Sequence, residues 1–127
     1  MEASNQREFT RVPIHVRAEI KGGGLDISNS ATESLSVKGL FVACHGQAPE
    51  GTECAITLIL GDGDIQIQTE GKVVHCYPEG IAFQFTRILG LESFEHLQKL
   101  MLYNAPDPDQ VESEFNTSTG IHRKAIH

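Results

Sequence analysis

The sequence predicts a small all-β fold, an antiparallel barrel or sandwich of short strands, with one α-helix at its C-terminal end. Three observations predict it. Between Pro13 and Phe85, apolar residues recur at every second position in short runs, the period of a strand with one buried face. Turn sequences rich in glycine and proline separate those runs at close intervals, as in small barrels and sandwiches. From Leu91 onward the apolar period lengthens to that of a helix. The 127 residues suffice for one apolar core and are too few for two ordinary domains.

The elements follow in order. Ile14, Val16, Ala18 and Ile20 alternate with His15, Arg17, Glu19 and Lys21 to give a first strand, which Gly22-Gly23-Gly24 ends. A second strand covers Leu25 to about Thr32, and Leu40 to Cys44 is a short third. Pro49-Glu50-Gly51 turns the chain into a fourth strand from Cys54 to Leu60. Gly61-Asp62-Gly63 is a hairpin signal, because aspartate and glycine tolerate positive φ. The fifth strand, from Ile65 to His75, contains Gly71, which marks a bulge or bend. After Pro78-Glu79-Gly80, Ile81, Phe83 and Phe85 alternate in a sixth strand. Leu91, Phe94, Leu97, Leu100 and Met101 then share one helix face suited to covering a barrel core, and Asn104-Ala105-Pro106 stops the helix. The polar, acidic stretch from 104 to 127 predicts a mostly disordered tail, with Val111 and Phe115 too sparse to define a packed element.

Composition excludes several function classes. Seventeen acidic against ten basic residues leave a net charge of −7, and the longest basic run is Arg123-Lys124, so DNA or RNA is an unfavourable partner. A ligand with one or two phosphates needs only a few well-placed arginines, which an acidic remainder permits. No apolar run reaches the length of a membrane span, and Met1 to Gln6 lack the charged-then-apolar pattern of a secretory signal. Cys44, Cys54 and Cys76 are an odd number without a close pair, which suggests reduced, packed thiols. A cytoplasmic protein without membrane association is expected. The six histidines form no HExxH or paired metal-ligand spacing, and no P-loop is present. Cys76 beside His75 is no nucleophile pair, since adjacent strand residues face opposite sides. These absences argue against an enzyme and against a metal or other cofactor.

Two short segments could carry binding. Arg7 and Arg11, four residues apart, project to one side in either a helical or an extended segment. Two guanidinium forks on one side suit a phosphate, and the same fork meets the O6 and N7 acceptors of guanine. Taken alone, they equally fit two solvated side chains. In Ser34-Leu35-Ser36-Val37-Lys38-Gly39 two hydroxyls point to one side of an extended stretch, and Gly39 admits a bend or a close approach. A bend held by serine–backbone hydrogen bonds is the alternative.

Arg7-x-x-x-Arg11, followed some two dozen residues later by Ser34-x-Ser36-x-x-Gly39, resembles the two-part signature of PilZ domains, Arg-x-x-x-Arg and (Asp/Asn)-x-Ser-x-x-Gly. The resemblance spans about residues 5 to 103 and includes Gly39-Leu40-Phe41-Val42, Gly71-Lys72-Val73-Val74-His75 and Gly80-Ile81-Ala82-Phe83-Gln84-Phe85. It implies a small six-stranded antiparallel barrel with a C-terminal helix over 13–103. Before the barrel lies a flexible segment, 1–12, that carries the arginine pair.

The function implied is that of a non-catalytic cyclic di-GMP receptor acting on a protein partner. Arg7 and Arg11 would contact phosphates and guanines, Ser36 and Gly39 would floor the site, and His75 would lie beside a base unless it is a plain strand residue. Ligand binding would change the conformation of the arginine segment. The sequence departs from the signature at Ser34, which stands where the family has Asp or Asn. A hydroxyl engages a guanine edge at one point rather than two. On strand alternation, Glu33 points to the opposite side and cannot substitute unless the backbone bulges. The competing expectation is a PilZ-like scaffold that mediates protein interaction without nucleotide.

Overall fold

The computed structural model describes residues 11–117. Six strands, β1 (Arg17–Gly22), β2 (Leu25–Leu35), β3 (Gly39–Ala43), β4 (Glu53–Leu60), β5 (Ile65–Tyr77) and β6 (Gly80–Ile88), are followed by helices α1 (Leu91–Asn104) and α2 (Pro108–Thr117). The strands close into an antiparallel barrel in the order β1-β2-β3-β6-β5-β4, with β1 paired to β4. Each predicted hairpin forms. Gly22 pairs with Leu25 across a turn made by Gly23 and Gly24, whose φ values of 59° and 89° suit glycine. Leu60 pairs with Ile65 across Gly61-Asp62-Gly63. Gly71 lies at a bulge of β5 against β6, as its place in the strand suggested.

Inward-facing residues such as Ala18, Ile20, Ile56, Leu58, Ile67 and Ile81 are fully buried and fill the barrel. Helix α1 lies against β5 and buries Phe94, Leu97 and Met101 in the same core. Its Ser93 hydroxyl accepts a hydrogen bond from the Gln68 N–H at 3.0 Å. Leu91, expected on the buried stripe, is half exposed, because the buried side of α1 runs through Ser93, Phe94, Leu97 and Met101 and Leu91, at about 100° per residue, falls at its edge.

Three sequence expectations need correction. The first strand begins at Arg17, not Ile14. Residues 12–16 instead run beside the end of β2, where Thr32 N–H donates to Val16 O at 2.9 Å. The barrel body also begins one residue earlier than expected, since Val12 is 1% exposed and bridges Leu35. The region 104–127 is not wholly a disordered tail: residues 108–117 form α2. Asp107 Oδ1 accepts the Gln110 N–H at 3.3 Å and so caps this helix, with Pro108 at its first position. Val111 and Phe115, one helical period apart, are buried, and the Phe115 ring meets Phe94 of α1 edge-on with centroids 5.5 Å apart. Residues 118–127 lie outside the described part.

Candidate binding face

Arg7 lies outside the described residues, but from Val12 onward the chain is tied to the barrel. Val12 and Leu35 exchange both backbone hydrogen bonds, at 2.8 and 2.9 Å. Below them Thr32 acts as a clamp. Its fully buried hydroxyl accepts the Val16 N–H at 3.0 Å and donates to the Ile14 carbonyl oxygen. His15 Nδ1 donates to the Thr32 carbonyl oxygen at 3.0 Å. Antiparallel pairing of Val12 with Leu35 puts Arg11 in register with Ser36, and both lie on the side away from the buried pair. The structure therefore brings Arg11 to the serine turn.

That turn is closed locally. Ser36 N–H donates to Gly39 O at 2.8 Å, while Ser36 Oγ accepts the N–H groups of Lys38 at 3.1 Å and Gly39 at 3.3 Å. Gly39 faces β6 so closely that a Cβ on it would lie 2.0 Å from the Phe83 carbonyl oxygen. Ser36 and Gly39 thus each have a structural duty, whatever else they contact.

Ser34 lies within β2 rather than after it, because the strand continues to Leu35. Here the strand bulges. Thr32 pairs with Val42 and Ser34 with Phe41, so Glu33 is the extra residue. Thr32 and Leu35 are buried, whereas of the two residues between them Glu33 is exposed and Ser34 partly so. Simple alternation placed Glu33 on the face opposite Ser34; the bulge puts both outside the barrel.

Register carries this face across three more strands. Phe41 pairs with Ala82, and Ala82 pairs in turn with His75. The row Ser34, Phe41, Ala82, His75 therefore crosses β2, β3, β6 and β5, about 14 Å at strand spacings of about 4.8 Å. His75 Nδ1 donates to Glu50 Oε2 at 2.8 Å, and its ring meets Tyr77 edge-on at 4.6 Å. Tyr77 in turn lies 5.9 Å from Phe41. Small Ala82 lies in the row between Phe41 and His75, and the Val42 carbonyl oxygen and the Phe41 ring fill the place where a Gly80 Cβ would be. Stacking surfaces of this kind accept planar bases. Phe41 and Tyr77 were not among the expected site residues; Tyr77, two residues after His75 on a strand, was findable from spacing.

A groove of about 530 Å³ elsewhere is lined by Lys21, Ala55, Glu70 and Arg87 and includes none of the expected residues. Two ionisable groups there are shifted. Burial pushes the Cys54 thiol up to about 11, and the hydrogen bond to Asp26 raises Lys21. Both lie on β1 and β4, the strands that contribute nothing to the Arg11–His75 face. Among the described residues no group of three His, Cys, Asp or Glu side chains could hold a metal ion, and no helix is long and apolar enough to cross a membrane.

The PilZ domain family model matches residues 5–103, which takes in both arginines, the serine turn, all six strands and nearly all of α1. The chain belongs to the PilZ domain family. Two solved structures are similar in fold. The inhibitor of motility MotI/DgrA of Bacillus subtilis aligns with a TM-score of 0.60 at 15% identity, over 89% of this chain and 53% of that one. The chain thus spans about half the length of that protein. The PilZ domain of CeSA from a cellulose-synthesizing bacterium aligns with a TM-score of 0.56 at 21% identity, over 72% of this chain and 93% of that domain. No protein of curated function matches the chain.

Proposed function

We propose that this PilZ domain is a non-catalytic receptor for cyclic di-GMP. Arg7 and Arg11 hold the phosphates and guanines, the Ser34–Gly39 turn floors the site, and one base lies along the Phe41–His75 row. The observation that supports this reading is the Val12–Leu35 bridge, which brings the backbone beside Arg11 near the start of the serine turn although the two are far apart in sequence. Guanidinium forks suit both the phosphates and the guanine acceptors of such a ligand. Binding brings Arg7 onto the barrel face beside Arg11, and the altered N-terminal surface is what a protein partner detects. No nucleic acid, membrane or cofactor enters this scheme, and the protein acts in the cytoplasm.

Ser36 and Gly39 do not discriminate between this reading and a nucleotide-free scaffold, because the turn and the β3–β6 contact require them in either case. The arginines do. Calorimetric titration of cyclic di-GMP into the full chain should give saturable binding. Arg11→Ala should weaken it by about ten- to a hundredfold, the worth of charge-assisted hydrogen bonds. Arg7→Ala combined with Arg11→Ala should remove it. Unchanged binding by the double variant, or no heat with the wild type at high micromolar ligand, refutes the receptor.

A further inference from the structure

We infer that Glu33 is the residue that selects guanine, taking over through the β2 bulge the role left open by Ser34; this rests on the cyclic di-GMP reading above. The position where the family signature carries Asp or Asn holds a hydroxyl in this chain. In a regular strand the preceding residue would face the barrel interior. Here Glu33 is the inserted residue of a bulge, so Glu33 and Ser34 together oppose Phe41. The burial sequence from Thr32 to Leu35 runs buried, exposed, partly exposed, buried. Two consecutive side chains therefore leave the same face of the barrel, and a carboxylate stands next to the position that lacks one.

Its placement beside the row of rings gives the carboxylate a use. Phe41, across the strand pair from Glu33, begins the row of rings that continues through Tyr77 to His75. A base lying on that row presents its edge toward β2. A carboxylate is a pure acceptor with two oxygens. The Watson–Crick edge of guanine offers two adjacent donors, N1–H and the exocyclic amine, which such a pair of oxygens can accept together. Adenine offers an acceptor at N1 instead, so the same carboxylate repels it. Glu33 thus contributes attraction to one base and rejection of the other. Ser34 Oγ, half-buried beside it, supplies a single further contact.

The experiment measures cyclic di-GMP and cyclic di-AMP affinities by calorimetry on the full chain, for wild type, Glu33→Ala, Glu33→Gln and the double variant Glu33→Ala with Ser34→Asp. Glu33 is exposed, so its variants should melt with the wild type, which is checked first. Glu33→Ala should lower cyclic di-GMP affinity by about ten- to a hundredfold and leave cyclic di-AMP affinity equal or higher, collapsing the preference for guanine. Glu33→Gln should fall between, and adding Ser34→Asp should restore the preference. The inference is overturned if the wild type binds cyclic di-GMP but Glu33→Ala keeps the same preference, whether both affinities stay, fall or rise together. Absence of wild-type binding to either nucleotide is a different result: it overturns the receptor reading and takes this assignment with it.

Discussion

Replacing Gly39 by alanine separates two meanings of a motif glycine, room for a ligand and room for a neighbouring strand. The added Cβ would lie 2.0 Å from the Phe83 carbonyl oxygen and 3.1 Å from the Gln84 Cα, whereas carbon–oxygen contacts ordinarily settle at about 3.3 to 3.6 Å. The carbonyl belongs to β6 backbone and has no rotamer to retreat into, so β3 and β6 must part by more than about 1 Å there. Parting them stretches the pairing of Gly39 with Gln84 and the Phe85 N–H to Lys38 O bond of 2.7 Å. Overpacking of this kind costs about 1 to 3 kcal/mol, and each weakened hydrogen bond about 1 kcal/mol. A loss of about 3 kcal/mol should lower the melting temperature of a domain this size by about 10 to 15 °C. Thermal unfolding followed by circular dichroism without ligand measures it. If Gly39→Ala melts within about 2 °C of the wild type, the strands accommodate the methyl group and the steric account of Gly39 is refuted.

Three further outcomes test other parts of the structure. Thr32→Val leaves the Val16 N–H and the Ile14 carbonyl without their shared partner and should cost about 2 to 4 kcal/mol in urea unfolding. Thr32→Ser, which keeps the hydroxyl, should cost only about 1 kcal/mol; equal losses for the two variants would show that the hydroxyl clamp contributes nothing. The folded Cys54 thiol keeps its proton up to about pH 11, while its ordinary value is 9.0. Its contribution to stability is therefore fully present below about pH 9 and is lost as pH rises from about 9 to 11. Urea midpoints followed through that range should fall more steeply for the wild type than for Cys54→Ala, and parallel curves would contradict the assignment. Phe115→Ala removes the edge-on contact with Phe94 and should cost about 3 kcal/mol locally. Hydrogen exchange should then show α2 amides deprotected while the barrel strands stay protected; an unchanged α2 would mean that this ring does not hold it.

Local chemistry made much of this fold legible. The glycine turns after Lys21 and Leu60 needed positive φ, and strand alternation marked the inward residues, so the hairpins and the core could be read directly. Closure of β1 onto β4 has no local signature, since it pairs residues some forty positions apart. The stretch from Pro13 to Val16 alternates like a strand, yet it is held by a buried Thr32 hydroxyl from another element. Helix α2 carried readable signals in Asp107, Pro108 and the Val111–Phe115 spacing, but two apolar residues in a polar segment gave them little weight. At the candidate face, the arginines and the serine turn were visible as residue types at a spacing. The Glu33 bulge was not, because it depends on how β2 and β3 align, and nothing in Thr32-Glu33-Ser34 encodes the extra residue.

The stitching of residues 12–16 to β2 also bears on self-association. From Thr32 to Leu35, β2 outruns β1, whose pairing ends at Arg17 opposite Ala31. On that side its backbone groups are met instead by Val12 and Val16. A chain cut to begin at Arg17 would therefore carry a bare strand edge on an otherwise closed sheet, the surface onto which a second molecule adds by backbone pairing. Residues 12–16 thus cover this end of β2, and any change that lifts them from it exposes a sticky edge.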